Sequence, residues 1–398
     1  MSPPTPLQSL HCARLFDGER LLHDVRLTWS EGHITGLQPD APRPAGDRRS
    51  IGPQWLVSPG LVDLQVNGGG GLMFNDDPSV AGACRIARAH ARAGTTSLLL
   101  TLITDTRAKA SAAQAAVRQA LLAAVPGVAG LHLEGPYLQP ARKGIHRAEF
   151  ITTLTDADVA RIVAQAMGVP TLLTLAPECA RPEQLRQLSD AGIRVFAGHT
   201  EARFDQIERA IAEGGLCGVT HLFNAMSQLG PREAGVVGAA LRRPELWAGI
   251  ILDGHHVSVP SADIAWRLRG REHMVLVSDA MAPSGTPQTE FMLQGVRIHV
   301  RNGRCEDDAG TLAGAAICLA DAVRIGVQQY GLRLEDALYS ASVAPARAMG
   351  LAHRIGRLQA GAQADLVLWN DALAVGGVLQ RGAWAVPVNG PPVSEADR

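Results

Sequence analysis

Lysine is nearly missing from this chain of 398 residues. Of its 37 basic side chains only Lys109 and Lys143 are lysines, and the other 35 are arginines. Any chemistry that depends on a lysine therefore has two candidates at most. The chain also lacks a charge bias, since 37 basic and 38 acidic residues leave a net charge of −1. With no basic tract interleaved with aromatics, no nucleic-acid partner is expected. Uninterrupted apolar runs of about 18 residues are absent, which excludes a membrane span, and the opening MSPPTPLQSLHCARLF lacks the apolar centre of a signal peptide. A cytoplasmic protein without a membrane partner is the expectation. The six cysteines (Cys12, Cys84, Cys179, Cys217, Cys305 and Cys318) never form a C-x-x-C pair. Reduced core thiols fit that spacing better than a disulfide frame or zinc ribbon.

What is present is organised in three stretches. Both ends read as short strands with turns, notably Leu21 to Trp29, His33 to Leu37 around Glu31-Gly32, Ala364 to Trp369, and Gly382 to Val388. Between them, apolar runs alternate with helical stretches such as Val80 to Arg92, Ala108 to Ala124 and Arg203 to Glu213. The runs are Leu61 to Val66, Thr95 to Ile103, Val128 to Leu133, Thr171 to Leu175, Ile193 to Ala197, Leu216 to Thr220, Ala248 to Leu252 and Met274 to Val277. Eight β runs alternating with helices predict an α/β fold, a (β/α)8 TIM-type barrel over 58–352. Residues 1–57 and 353–398 are expected to pair as a small β-sandwich domain.

Active sites of such barrels lie at the C-terminal ends of the strands. Here those ends carry Gln65 and Asn67, Thr104 and Asp105, Glu134, Glu178, His199, His221, Asp253 with His255 and His256, and Asp279. A lone histidine there would be unremarkable, but the convergence on one rim is not. One carboxylate and two imidazoles leave coordination open for water, which predicts a catalytic metal site at Glu134, His199 and His221. One divalent ion is expected, with Zn2+ the first choice and Fe2+, Co2+ or Mn2+ compatible with the same donors. Zn2+ so held lowers the pKa of its water toward ~7 and supplies a hydroxide nucleophile. Asp279, ending the eighth run, is the candidate general base, with helix capping its alternative role.

At these residues the chain resembles the amidohydrolase superfamily and, within it, the N-acetylglucosamine-6-phosphate deacetylase family. The resemblance spans essentially the whole chain and rests on ordered motifs: Pro59-Gly60-Leu61-Val62-Asp63, Gln65-Val66-Asn67-Gly68, His132-Leu133-Glu134-Gly135-Pro136, Lys143-Gly144-Ile145-His146, Leu175-Ala176-Pro177-Glu178, Ala197-Gly198-His199-Thr200, Thr220-His221-Leu222-Phe223-Asn224-Ala225-Met226, Asp253-Gly254-His255-His256-Val257 and Ser278-Asp279-Ala280. It implies removal of acetate from N-acetyl-D-glucosamine 6-phosphate, with hydroxide on the metal attacking the amide and Asp279 acting as base and then acid. It further implies that His146 polarises the acetamido carbonyl, that Asn224, the Ala225 backbone, Arg232 and His256 hold the sugar phosphate, and that the enzyme is a homodimer.

Two departures from the superfamily pattern bear on this expectation. Where most members have His-x-His for a second metal, this chain has Gln65-Val66-Asn67, and amides are poor zinc ligands. One metal is therefore expected, and a lysine-bridged pair is disfavoured because neither lysine ends the fourth run. Arg232-Glu233-Ala234-Gly235 has alanine where the family commonly has proline. The nearest competing substrate is the galacto epimer, N-acetylgalactosamine 6-phosphate. A non-catalytic barrel is the competing class, and it would have no use for three ligands together with Asp279. The roles of Glu178, Asp253 and His255 stay open at this level.

Overall fold

Strands form where the sequence offers β-branched and leucine-rich runs too short for helices, and the eight apolar runs each fall on one strand of a parallel sheet. The computed structural model describes residues 7–41, 50–301 and 303–388. The expected terminal domain includes 1–6, 42–49 and 389–398, which lie outside the described residues. The barrel strands are β1 (Leu61–Val66), β2 (Thr95–Ile103), β3 (Val128–Glu134), β4 (Thr171–Leu175), β5 (Arg194–Ala197), β6 (Gly218–Val219), β7 (Trp247–Ile250) and β8 (Met274–Leu276). They are hydrogen-bonded in chain order from β1 to β8.

Strand β1 and strand β8 do not share a regular ladder. Their joint is a single bridge between Val66 and Ala280, supported by side chains. The Ser278 hydroxyl and backbone N–H both donate to the buried Asp63 carboxylate. Asn67 N–H donates to the Ala280 carbonyl at 2.9 Å. Asp63 thus has a closing role, and burial raises its carboxyl to about 7 despite the Ser278 bond.

The surrounding helices start at the residues that can satisfy their free N–H groups. Thr106 caps Arg107–Leu122 by accepting from Lys109 N–H, and Thr155 and Asp158 form a reciprocal capping box on Asp156–Ala166. Arg107 clamps Asp158 with two guanidinium bonds, tying these helices together. On the first helix Ala110, Ala113, Val117 and Ala120 are buried at helical spacing, and their small size lets it sit close against the sheet. Strands and helices share one large core.

Both chain ends meet in a second sheet. Leu56–Pro59 pairs antiparallel with Leu366–Trp369, joining N-terminal strands Gln8–Phe16, Leu21–Ser30 and His33–Gln38 to C-terminal strands Val375–Gln380 and Ala383–Val386. Glu31 and Gly32 both have positive φ, at 50° and 74°, as a tight hairpin turn requires. Cys12, Leu15, Val25, Leu27, Leu366 and Leu368 give this sheet its own core.

One element was not anticipated. After β8 the chain forms a four-stranded antiparallel sheet, Glu290–Leu293, Val296–Arg301, Arg304–Asp307 and Leu312–Ala315, before the next helix. Leu293, Ile298 and Cys305 from this sheet pack with Met73, Ile103 and Met281 at the C-terminal end of the barrel. Its first turn, at Gln294, reaches down to the carbonyl of Thr104 and the carboxylate of Asp105, both at 2.9 Å. Among the described residues no helix is long and apolar enough to cross a membrane.

Candidate active site

Glu134 ends β3, while His199 and His221 each lie two residues beyond the ends of β5 and β6. The fold brings all three to one point. His199 Nε2 and His221 Nε2 stand 3.3 and 3.2 Å from Glu134 Oε1, and 3.1 Å from each other. The three side chains are buried, and among the described residues they form the one cluster of three or more His, Cys, Asp or Glu groups with metal-holding geometry.

The donor chemistry fits a cation. His199 Nδ1 lies 2.9 Å from the Arg142 carbonyl, which can only accept, so this nitrogen carries the proton and Nε2 presents a lone pair in the neutral ring. That lone pair faces a carboxylate oxygen and a second imidazole nitrogen, an arrangement that repels unless positive charge sits between them. Without a cation, only a proton on each Nε2 relieves that clash: as donors the two imidazoles pull Glu134 well below the usual carboxylate range against the opposing effect of burial, and the same carboxylate raises His221.

Local backbone geometry is unusual at this rim. His199, His221 and Asp279 have φ of 51°, 34° and 50°, in the left-handed region that side chains with a Cβ avoid. Such conformations persist where the surrounding structure over-determines them, and they turn each side chain inward just beyond its strand. The loop behind His199 is pinned by Glu178, which accepts from the Thr200 hydroxyl and from Glu201 N–H. Glu178 thereby has a supporting place.

Asp279 faces the same space from the far side of the mouth. Its Oδ1 accepts from Gln65 Nε2 at 3.0 Å and from Asn67 Nδ2 at 2.7 Å. Burial and the nearby Glu134 charge push its carboxyl up to about 6. The two amides stand where a His-x-His pair would offer lone pairs, and they offer N–H donors instead.

His146 reaches the site from the loop between β3 and the following helix. Although it lies on a loop, it is only 3% exposed. Its Nε2 lies 4.0 Å from Glu134 Oε2, its ring centroid is 4.4 Å from that of His199, and its Nδ1 is 2.7 Å from Thr104 Oγ1. Burial and the neighbouring His199 hold its pKa down at about 3, so the ring is neutral.

The remaining predicted residues lie further round the rim. His256 Nδ1 is 2.6 Å from Asp253 Oδ2, and Asp253 Oδ1 accepts the backbone N–H groups of His255 and His256. Asp253 thus orients His256 and leaves its Nε2 free of that bond. Asn224 Nδ2 approaches the His221 and Leu222 carbonyls, and Ala225, at φ 47°, accepts Thr200 N–H. Arg232 is exposed and makes no ion pair with a described residue, so its guanidinium is available, but no described contact joins it to the trio. Ala234 has φ −79°, a value proline also adopts, so alanine here holds a backbone conformation that proline would allow. Thr104 was placed among the strand-end residues by sequence and given no role; its hydroxyl contact with His146 gives it one to consider.

Known proteins resemble this chain in sequence and in fold. A model of the amidohydrolase family matches residues 56–384. The chain is 42% identical over 313 residues to an N-acetylgalactosamine-6-phosphate deacetylase of Shewanella sp. (strain ANA-3), covering 78% of each protein. It is 33% identical to an N-acetylglucosamine-6-phosphate deacetylase of Haemophilus influenzae, covering 82% of this chain and 86% of that one. Among solved structures, the N-acetylglucosamine-6-phosphate deacetylase from Pasteurella multocida superposes with a TM-score of 0.90 at 32% identity, covering 96% of this chain and all (100%) of that one. A variant of the Mycobacterium smegmatis enzyme in complex with N-acetyl-D-glucosamine-6-phosphate gives 0.89 at 31% identity, covering 97% and 100% of the two chains.

Proposed function

The chain belongs to the amidohydrolase family, and from that we propose that it hydrolyses the acetamido group of N-acetyl-D-glucosamine 6-phosphate, giving D-glucosamine 6-phosphate and acetate. The observation that carries this reading is the convergence of Glu134, His199 and His221 on one point with the buried Asp279 carboxylate across from them. A divalent cation, with Zn2+ the first choice among those these donors suit, would be held by the three residues and would supply Lewis-acid polarisation of the amide and an acidified water.

The chain's own groups do the rest. Asp279, kept in the carboxylate form, accepts the proton of the attacking water and then delivers it to the departing nitrogen. His146 donates from Nε2 to the carbonyl oxygen as negative charge develops there, a bond worth more in a site closed to water. The amides of Gln65 and Asn67 hold Asp279 Oδ1 in place, leaving Oδ2 for the proton. Arg232, His256, Asn224 and the Ala225 backbone hold the phosphate, a dianion that calls for a guanidinium fork and neutral donors together. A homodimer working in the cytoplasm completes the reading, and its mass in solution is measurable by light scattering.

The test is acetate release by the metal-reconstituted protein from N-acetylglucosamine 6-phosphate, its galacto epimer and unphosphorylated N-acetylglucosamine. Preference for the first supports the proposal. The relative from Shewanella favours a second reading, in which the galacto epimer is the better substrate, and a higher kcat/KM for that epimer would establish it. Acetate release from none of them, by protein carrying its metal, overturns both.

A further inference from the structure

Thr104 follows directly on β2, and its hydroxyl sits between two acceptors with one proton to give. Its Oγ1 is 2.7 Å from His146 Nδ1 and 3.2 Å from the Glu134 carbonyl. The two choices have opposite consequences for His146. If the proton goes to the carbonyl, Oγ1 accepts from Nδ1–H, and His146 presents a bare lone pair at Nε2 toward the Glu134 carboxylate 4.0 Å away. If the proton goes to Nδ1, the imidazole carries its own proton on Nε2 and presents a donor. Only the second form can stabilise negative charge on a substrate oxygen.

We propose that Thr104 is a positioning residue that fixes His146 in the Nε2–H tautomer, making it a hydrogen-bond donor to the reacting carbonyl. Geometry favours this assignment at each atom. The nitrogen is the nearer acceptor, and a lone pair at Nε2 would face the carboxylate of Glu134, whereas an N–H there is attracted to it. The backbone that carries the hydroxyl is held on both sides. The Asn75 side chain makes paired bonds to Ile103 N–H and carbonyl at 3.1 and 3.0 Å, and Gln294 donates to the Thr104 carbonyl at 2.9 Å. Space for it is reserved by Gly135: a Cβ there would lie 2.2 Å from Thr104 Oγ1. The glycine in His132-Leu133-Glu134-Gly135-Pro136 thus has a reason tied to Thr104.

This inference rests on the proposed deacetylase reading for His146, and its test separates the two. In Thr104→Val the shape is kept and the hydroxyl is lost; in Thr104→Ser the hydroxyl is kept. The expected result is a fall in kcat of roughly 10- to 10³-fold for the valine variant, the scale on which a mis-set catalytic histidine tautomer or a lost oxyanion donor acts. KM should stay within about threefold, and the serine variant should recover most of kcat. Independently of activity, long-range 1H–15N spectra of 15N-histidine protein with zinc should show His146 as the Nε2–H tautomer in the parent and serine forms, and a loss of that tautomer in the valine form. An Nδ1–H tautomer in the parent, or an active parent whose valine variant keeps kcat within twofold, overturns the role of Thr104. A parent with no deacetylase activity but the Nε2–H tautomer overturns the functional reading and leaves the tautomer assignment standing.

Discussion

Gln65 Nε2 lies 3.0 Å from Asp279 Oδ1 and also 3.0 Å from Glu134 Oε1, so a single amide joins the carboxylate of the candidate metal trio to that of the candidate base. Two carboxylates so close repel, and an NH2 group between them offsets part of that repulsion without carrying a full charge. The same NH2, with that of Asn67, turns hydrogen toward the place a second cation would need lone pairs.

One divalent ion per chain is the expected stoichiometry, measured by elemental analysis after zinc reconstitution. Two tightly held ions would contradict the amide argument. Chelation should lower Tm by a few degrees, because a ligand at about 100 times its Kd stabilises the folded state by about 2.7 kcal/mol.

Asp279→Asn should reduce kcat by about 10²–10⁴-fold while the bound metal is retained. In the parent, activity needs the carboxylate, so kcat/KM should rise with pH along its acid limb. A cation beside Asp279 favours the ionised form, which sets the midpoint of that limb below the value of about 6 that burial and Glu134 give without it. Near-normal turnover in the asparagine variant would remove Asp279 from the proton path.

Arg232→Ala should raise KM for the 6-phosphate substrate on the order of 10- to 100-fold, the range for losing charge-assisted hydrogen bonds. Stability should be unaffected, since Arg232 is exposed and makes no ion pair with a described residue. Unchanged KM in steady-state assays would take Arg232 out of the phosphate site.

Asp253→Asn tests whether the orientation of His256 matters for binding. Asp253 lies below the usual carboxylate range, burial being outweighed by the bonds from His256 and the adjacent backbone. Losing that anchor should raise KM by several-fold with kcat little changed. A fall confined to kcat would place His256 in the chemistry instead.

Asp158→Asn addresses the frame. The Arg107 guanidinium bonded to Asp158 holds its carboxyl well below the usual range, so the ionised form stabilises the fold above the unfolded pKa of about 3.9. That contribution is lost as pH falls through the folded value. The variant should therefore cost roughly 1–2 kcal/mol at neutral pH, from the capping box and a partly exposed ion pair. The gap in denaturation midpoint should narrow below about pH 4; a gap independent of pH would assign the loss to geometry alone.

Much of this molecule was legible in its sequence. The β1 run Leu61 to Val66 and the β2 run Thr95 to Ile103 coincide with their strands because fully buried parallel strands are rich in apolar residues, and here Gly60 and Gly94 mark where each begins. β6 is shorter than its run, Gly218–Val219 within Leu216 to Thr220, since the chain turns early to bring His221 inward. The clustering of Glu134, His199 and His221 was readable because metal-binding residue types stood at strand ends. The sheet over 290–315 was passed over, although Glu290–Leu293 and Val296–Arg301 flank a Gln294-Gly295 turn that is itself a hairpin signal. Its strands are half exposed and polar, so no apolar run marked them. Thr104 and Asp253 needed coordinates, because a threonine acts through where its one proton points and an aspartate through which imidazole it meets.

The joint between β1 and β8 has a consequence for motion. Every other neighbouring pair of barrel strands is zipped by a backbone ladder, whereas this seam has one backbone bridge and is otherwise held mainly by side chains, Asp63 with Ser278 and the two amides with Asp279. Directly above it stand Gln65 and Asn67 on one lip and Asp279 on the other. Opening along the seam would separate Asp279 from the amides that hold it while Glu134, His199 and His221, on or just beyond β3, β5 and β6, stayed together. Amide exchange at Asn67 and Gly68, whose N–H groups both bond the Ala280 carbonyl, is the local gauge of that opening.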